Sequence, residues 1–247
     1  MALILEQTGD EFKTFVTTMK SMIGSSNNMS IENERIISSI IGGVLVQDLE
    51  GYPNISLSKV KESINIMSAL CKLKLDHVIW SDDNMAFYGL KIFYNQSDTP
   101  ITIKLQKSDV DIAQLEVPDL SVYNKVYGKV IDKVAYDAMA LAIKEFTNND
   151  KSECWLELND SGQLASVLVS DQVTSAEIRF PVEGGDIVSK MKMTDLYDGK
   201  STGEMTINIL NDKRHEDRYL IITYPVKNDR RKCLRYAELH DDSINFF

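Results

Sequence analysis

The chain has 247 residues, an apolar fraction of 43% and a formal net charge of −10. This length allows one large hydrophobic core or two smaller ones of roughly 120 residues each. The negative charge excludes a simple basic protein that coats DNA, but it allows an acidic protein with one basic concave face.

Three cysteines, Cys71, Cys154 and Cys233, lie far apart without any Cys-x-x-Cys spacing. This pattern fits neither a disulfide framework nor a structural zinc site, and it favours a reducing, intracellular compartment. No apolar run approaches the ~18 residues of a membrane-spanning helix, and the first fifteen residues include three acidic ones. We therefore expect no signal peptide and no membrane anchor.

In the first half of the chain, apolar residues at helical spacing predict an amphipathic helix over residues 10–23. Residues 54–70 predict a strand end and then a second helix. Residues 72–80 and 86–94 predict a hairpin with Trp80 in the core. Further β-type stretches are residues 29–31, 36–41, 44–49 and 101–105.

The second half repeats this order of elements. Phe12, Phe15, Met19 and Lys20 match Tyr136, Met139, Ile143 and Lys144 at an offset of 124 (136 minus 12). Ser58, Lys59, Val60 and Lys61 match Ser189, Lys190, Met191 and Lys192 at an offset of 131 (189 minus 58). Tyr88 and Leu90 match Tyr219 and Ile221 at the same offset. The matches predict two copies of one unit, each with two helices.

We thus predict an α+β fold with duplicated domains over residues 1–106 and 128–247, joined by a connector over residues 107–127. The connector contains Leu115, Val117 and Leu120. Such apolar residues are unusual in a solvated linker, so we expect part of it to pack on the body of the protein.

The sequence shows no recognisable catalytic motif. The Gly-Gly pairs lack the lysine of a phosphate-binding loop, no serine lies in a Gly-x-Ser-x-Gly turn, and the three histidines are not spaced as ligand pairs. His240-Asp241-Asp242 could hold a divalent cation, and Asp82-Asp83 or Asp241-Asp242 could act as paired catalytic carboxylates, but adjacent acidic residues usually form a solvated surface. We predict no enzymatic activity, no cofactor and no metal site.

Residues 111–123, Asp-Ile-Ala-Gln-Leu-Glu-Val-Pro-Asp-Leu-Ser-Val-Tyr, resemble the interdomain connector of proliferating cell nuclear antigen, which has a Gln-Leu-x-Ile-Pro core. Residues 220–224 and 234–236 are similar to the last two strands of that family. Residues 241–247 resemble the tail of tailed-phage clamps. The resemblance implies a divergent viral or phage DNA sliding clamp, a processivity factor in the cytoplasm or nucleoid of the host cell. It also implies a ring, expected to be a homotrimer, with helices inside and antiparallel sheets outside.

The resemblance implies that lysines on these helices face double-stranded DNA. Lys13 and Lys20 are seven residues apart, which is two helical turns, and share one face. Lysine contacts phosphates without reading bases, which would allow the ring to slide. The complete expected set is Lys13, Lys20, Lys59, Lys61, Lys133, Lys144, Lys190 and Lys192.

The resemblance also implies an apolar pocket beneath the connector for the short tails of a DNA polymerase and a clamp loader. By position, the pocket residues would be Ile40, Val44, Leu115, Val117, Pro118, Tyr236, Ala237 and Leu239. Ordinary core packing is an equally good explanation for any one of them.

Two other functions stay open. One is a clamp-like transcription or checkpoint factor that assembles with different subunits. The other is an acidic virion or scaffold protein with a duplicated β-sandwich and no DNA role.

Overall fold

The computed structural model of the chain describes residues 2–23, 28–40, 42–83, 85–108, 117–134, 137, 153–158, 164–170, 175–181, 189–193, 203–228 and 230–239. For the four segments within residues 153–193, and for positions 126, 127, 129, 238 and 239, it describes the backbone alone. The chain divides into two compact units. Unit 1 is Met1–Ile40 with Leu45–Glu116, and unit 2 is Ile41–Val44 with Val117–Phe247.

Unit 1 uses one order of elements twice, a strand, a helix and three strands. The first half comprises β1 (Ala2–Thr8), α1 (Gly9–Ser21), β2 (Met29–Glu32), β3 (Arg35–Ile40) and β4 (Gly43–Asp48). The second half comprises β5 (Ile55–Leu57), α2 (Val60–Leu70), β6 (Leu75–Asp82), β7 (Phe87–Tyr94) and β8 (Ile101–Gln106). Only residues 45–48 of β4 belong to unit 1.

The two halves of unit 1 exchange their first strands. One sheet has the order β1-β6-β7-β8, and in the other β5, β2, β3 and β4 follow one another. The pairs β1–β6, β6–β7, β7–β8, β2–β3 and β2–β5 are all antiparallel. Neither half can complete a sheet alone, so the whole of unit 1 is expected to fold together.

Helix α1 begins at a capping box. The Thr8 hydroxyl accepts the Glu11 backbone N–H at 3.3 Å, and the Glu11 carboxylate accepts the Thr8 backbone N–H at 2.8 Å. These bonds satisfy two donors that a helix start leaves unpaired. The apolar stripe of Phe12, Phe15, Val16 and Met19 is buried, and the two helices pack against each other.

The core of unit 1 centres on Trp80, which is fully buried, as the sequence predicts. Phe15 meets its ring edge-on with the centroids 5.6 Å apart, and Phe15 also stacks on Tyr52 at 4.7 Å. Burying aromatic rings in this way removes a large apolar area from water and stabilises the fold.

Unit 2 repeats the sheet order of unit 1. Its strands are β9 (Tyr123–Ile131), β10 (Glu153–Leu158), β11 (Leu164–Ser170), β12 (Ser175–Pro181), β13 (Ser189–Met193), β14 (Met205–Asp212), β15 (His215–Pro225) and β16 (Arg231–Leu239). The strands β9, β14, β15 and β16 pair in that order, as β1, β6, β7 and β8 do. The order β13-β10-β11-β12 likewise matches β5-β2-β3-β4. The predicted α+β fold with two duplicated domains is thereby confirmed.

Both predicted helices of the first half are confirmed, with bounds that differ by a few residues. The sequence analysis did not predict strand β1. Its burial does not alternate, because it is an edge strand with five exposed or half-exposed residues before Gln7. The predicted connector, residues 107–127, overlaps β9, which begins at Tyr123. Its boundaries and those of the two domains stay predictions.

One predicted element is wrong. The segment Ser189 to Lys192 was expected to start a fourth helix, but it lies in β13. Its lysine and methionine residues alternate with a period of two, which is typical of a strand. β13 pairs with β10 on one side and β16 on the other, so both of its edges are hydrogen-bonded.

Among the described residues, no helix is long and apolar enough to cross a membrane. Within the same residues, no group of three or more histidine, cysteine or carboxylate side chains could hold a metal ion. Cys71 and Cys233 are free thiols. Asp82 and Asp83 are not a simple solvated pair, because Lys107 forms ion pairs with both.

Candidate nucleic-acid interface and partner surface

The first candidate surface is formed by the sides of α1 and α2 that do not pack on the sheets. α1 buries Phe12, Phe15 and Met19, and α2 buries Val60, Ile64 and Met67. The repeat of 3.6 residues per turn turns the intervening positions outward. Lys20 and Lys61 are exposed there, and the Lys13 side chain is 40% exposed.

Lys59 precedes α2 and is also exposed. Its backbone has φ 49° and ψ 45°, in the left-handed region. Residues other than glycine rarely adopt this conformation, and such strain often occurs at functional positions. The conformation fixes the direction in which the Lys59 side chain leaves the backbone at the start of α2.

Sequence reasoning missed two further lysines. Lys72 and Lys74 follow α2 and are exposed. Burial raises the pKa of the neighbouring Cys71 thiol, while the positive charge of Lys13 lowers it. Lys13 therefore lies near the C-terminal end of α2, which Lys72 and Lys74 follow in the sequence. The Cys-Lys-Leu-Lys sequence directly after the predicted helix could have indicated these two lysines.

Of the two acidic residues at the start of α1, one caps the helix and the other lies in water. Glu11 caps α1, where hydrogen bonds from Thr8 lower the pKa of its carboxyl. Asp10 lies 3.8 Å from the Lys13 ammonium but its side chain is 98% exposed. Exposed ion pairs of this kind contribute little free energy. Lys13 can therefore exchange this partner for another anion at low cost.

The expected DNA-facing residues of the second half are only partly described. Lys133 is exposed in helical backbone, and its ammonium lies 2.7 Å from Asp137 Oδ2. Lys144 lies outside the described residues. Lys190 and Lys192 occupy β13, where the structure describes the backbone alone. Their predicted place at a helix start is therefore incorrect, because each is a residue of a paired strand.

The second candidate surface is one face of the β9-β14-β15-β16 sheet in unit 2. Leu210 pairs with Lys125 on one side and with Leu220 on the other, and Leu220 pairs with Tyr236. Residues directly opposite each other in antiparallel strands project from the same face. Leu220 is fully buried, Leu210 is half-buried and Tyr236 is 48% exposed. We call this the outer face of unit 2.

The end of the predicted connector is fixed against the turn between β14 and β15. The Lys213 backbone N–H donates to the Val122 carbonyl at 3.0 Å, and its ammonium donates to the Ser121 carbonyl at 2.8 Å. Asp119 accepts the Ser121 backbone N–H at 2.9 Å and caps a short 3-10 turn (Leu120–Val122). These bonds place Leu120, which is 40% exposed, at the edge of the outer face.

Asp212 organises the same turn. Its carboxylate accepts the Arg214 backbone N–H at 2.9 Å and two guanidinium N–H groups at 3.0 and 3.1 Å. Hydrogen bonds from the Arg214 side chain and backbone lower the pKa of Asp212 to about 2. Burial raises the pKa of the Tyr123 hydroxyl, and nearby Asp212 and Tyr236 raise it further.

The residues expected to form a partner pocket differ in exposure. Val117 and Pro118 are half-buried beside the 3-10 turn, whereas Ile40, Val44 and Ala237 are buried. The Tyr236 backbone N–H donates to the Gly42 carbonyl at 3.0 Å. Leu115 lies outside the described residues, and only the backbone of Leu239 is described. Whether these residues act together as a pocket stays a prediction.

No protein-family model matches the sequence, and no curated protein matches it. Solved structures do match it. The β subunit of DNA polymerase from Streptococcus pyogenes matches 95% of this chain with a TM-score of 0.63 at 10% identity. The DNA polymerase sliding clamp from Bacillus subtilis matches 99% of this chain with a TM-score of 0.59 at 11% identity. The chain has the fold of the DNA sliding clamps.

The clamp fold is shared over different fractions of the matched chains. This chain spans 65% of the Streptococcus pyogenes protein and 66% of the Bacillus subtilis protein. A chain of the PCNA2–PCNA3 complex from Sulfolobus tokodaii is covered to 99%, by 96% of this chain, with a TM-score of 0.50 at 10% identity. The two-unit organisation therefore corresponds to nearly all of that chain.

At 10 or 11% identity, the likeness to these clamps lies in the fold and not in individual residues. The repeated strand order and the two packed helices of unit 1 carry it. The assignment of Lys13, Lys20 and Lys61 to the exposed helix surface therefore rests on the structure of this chain and not on the matched clamps.

Proposed function

We propose that the chain is a DNA sliding clamp, a non-enzymatic processivity factor that encircles duplex DNA and tethers a replicative polymerase. The observation that carries the proposal is the clamp fold over nearly the whole chain, combined with helices in unit 1 that bury apolar stripes and expose lysines. A protein with this function acts inside the cell, in the cytoplasm or nucleoid.

The lysine surface supports a sliding contact. Lys13, Lys20 and Lys61 project from helices, while Lys59, Lys72 and Lys74 extend from the ends of α2. Ammonium groups attract phosphates without recognising bases, so the contact is the same at every position along a duplex. We propose the same role for Lys133, Lys144, Lys190 and Lys192 of the second half.

A ring needs several copies of this chain. The proposed assembly is a homotrimer, with two units per chain and the helices toward the DNA. Sedimentation measures its mass directly. The proposal predicts a species near three times the 27.9 kDa mass of the chain. A strict monomer at every concentration up to 100-fold above that used for DNA binding would contradict the ring.

The outer face of unit 2 is the proposed site for short tails of a polymerase and a clamp loader. Tyr236 offers an exposed aromatic side chain, and Val117 and Pro118 are half-buried at the connector end. Exposed aromatic and apolar residues with a polar rim are typical of peptide-binding surfaces. The other residues predicted from the sequence for a partner pocket are Ile40, Val44, Leu115, Ala237 and Leu239. Of these, Ala237 pairs with Tyr219 and so lies on the opposite face of β16 to Tyr236.

A further inference from the structure

The line of α1 directly opposite its buried stripe contains no lysine. This outermost row consists of Asp10, Thr14, Thr17 and Ser21. Its members are spaced by four, three and four residues, so they lie along one line of the helix. The first three are exposed and the last is half-buried. Since each residue turns the helix by roughly 100°, Lys13 and Lys20 point roughly a quarter of a turn to one side of this row.

The hydroxyl groups of the outermost row already donate their hydrogens within the helix. The Thr14 hydroxyl donates to the Asp10 carbonyl at 3.0 Å, and the Thr17 hydroxyl donates to the Lys13 carbonyl at 2.8 Å. The Ser21 hydroxyl likewise donates to a carbonyl one turn before it, at 2.7 Å. A hydroxyl has a single hydrogen, so these groups offer a neighbouring molecule only lone pairs, which accept hydrogen bonds. Phosphate oxygens are also acceptors, and the hydroxyls in this arrangement therefore do not bind them directly.

The remaining member of the row, Asp10, opposes phosphate binding by its charge. Its side chain is 98% exposed, and one carboxylate oxygen lies 3.8 Å from the Lys13 ammonium. A phosphate that approaches Lys13 has to displace this carboxylate or tolerate its repulsion. Asp10 therefore weakens the attraction that Lys13 and Lys20 exert on a duplex.

Helix α2 has the same organisation. The positions opposite its buried residues are Glu62, Asn65 and Ala69, and all three are exposed. Lys61 lies to one side of this line, whereas Ile66, which is 48% exposed, lies to the other. Both helices of unit 1 thus combine a carboxylate with uncharged residues along the outermost line and have their lysines beside it.

This arrangement deepens the DNA contact proposed above and depends on it. We propose that the outermost row of α1 faces the duplex as a non-binding spacer, which leaves the phosphate contacts to the flanking Lys13 and Lys20. Each contact between a lysine and a phosphate releases counterions, so affinity rises with the number of such contacts. A row that adds none keeps the affinity low, and a chain that is weakly held moves along DNA without breaking a strong bond.

Removing the hydroxyl groups tests whether they bind phosphates. The variant with Thr14→Val and Thr17→Val keeps the shape of both side chains without their hydroxyls. Fluorescence anisotropy of a labelled duplex, in a series of salt concentrations, measures the affinity of the full chain. We expect the variant to match the unchanged chain within twofold, and any greater weakening would overturn the inference. Circular dichroism checks the fold, and Thr14→Ala with Thr17→Ala replaces the variant if valine unfolds the helix.

An added charge tests whether the row faces the duplex. Thr17→Lys should bind duplex DNA about threefold more tightly at low salt and steepen the plot of log Kd against log salt by about 0.9. Thr102→Lys adds the same charge at an exposed position of β8 and is the matched control. Asp10→Asn should also tighten binding about threefold, with Asp98→Asn, at an exposed position after β7, as its control. Equal effects in the row and in the controls would overturn the inference.

The unchanged chain distinguishes a failure of this inference from a failure of the proposed function. If it does not bind duplex DNA at low salt, the proposed DNA contact and the spacer are both wrong. If it binds with a salt-dependent affinity but the valine variant is weakened, or Thr17→Lys only equals Thr102→Lys, the DNA contact stands and the spacer alone is wrong.

Discussion

Trp80 donates its indole N–H to the Oε1 atom of Gln7 at 2.8 Å in the core of unit 1. Gln7 is 3% exposed and donates in turn to the Tyr52 hydroxyl at 3.2 Å. This chain of hydrogen bonds ties the edge strand β1 to β6 and to the loop after β4. It gives the buried amide of Gln7 partners for both its oxygen and its nitrogen, as a buried polar group requires.

Replacing Gln7 should therefore destabilise unit 1. Gln7→Ala leaves the buried Trp80 N–H without its partner, and we expect the free energy of unfolding to fall by about 1–3 kcal/mol. Urea unfolding followed by tryptophan fluorescence measures the change. Glu6→Ala, at the exposed neighbouring position of the same strand, should change the midpoint little. Equal effects of the two substitutions would refute the proposed role of this hydrogen bond.

Gly9 at the start of α1 should not tolerate a side chain. A Cβ atom there would collide with the backbone carbonyl and Cβ of Leu75, at the start of β6. We expect Gly9→Ala to lower the free energy of unfolding by about 1–3 kcal/mol, as other overpacked sites do. Gly203 has open space around it, so Gly203→Ala is the control in thermal unfolding. A melting temperature unchanged by Gly9→Ala would show that α1 can move away from β6.

Reversing the charge of the helix lysines should weaken DNA binding without affecting the fold. The double variant Lys13→Glu and Lys20→Glu should bind duplex DNA roughly tenfold less tightly at low salt, with a shallower salt dependence. Fluorescence anisotropy with two unrelated duplex sequences measures both. The double variant Lys91→Glu and Lys104→Glu controls for net charge, because these are exposed lysines on β7 and β8. Equal losses for this control would mean that α1 does not face DNA.

The pKa of Asp212 gives a pH prediction for unit 2. Its pKa of about 2 in the folded chain lies below the ordinary value of 3.8. The ionised carboxylate therefore stabilises the folded state above pH 3.8, and this contribution is lost as the pH falls toward 2. Asp212→Asn should reduce stability at neutral pH, and its difference from the unchanged chain should shrink between these two values.

The partner substitution Arg214→Gln tests the same interaction from the other side. It removes the guanidinium donors and should abolish the same part of the acid dependence in unfolding experiments. A chain with Arg214→Gln that kept the full acid dependence would show that the backbone N–H alone lowers the pKa of Asp212.

Much of the fold could be predicted from the sequence because its signals are local. The apolar stripe of Phe12, Phe15 and Met19 predicted α1, and the β-type stretches on either side of residues 81–84 predicted the hairpin that contains Trp80. The duplication emerged from constant offsets, and Tyr88 and Tyr219 do occupy the corresponding strands β7 and β15. β1 was missed because an edge strand does not need alternating burial.

The candidate surfaces were less accessible to sequence reasoning. The short Ser-Lys-x-Lys match placed Lys190 and Lys192 on a helix, although the alternation of Lys190, Met191 and Lys192 fits the observed strand. The cluster around Asp212 and Arg214 depends on long-range contacts such as that between Lys213 and Ser121, 92 residues apart in the chain. No local pattern predicts a contact at that separation.

Retention on DNA tests the central proposal, that the chain encircles a duplex, most directly. The chain is mixed with linear duplex at low salt, the ends are ligated, the circles are washed at high salt, and half are then cut with a restriction enzyme. A clamp stays on the closed circle through the wash and leaves after the cut, because only the topological link resists salt. Equal retention on cut and closed DNA, or none on closed circles, would contradict the account.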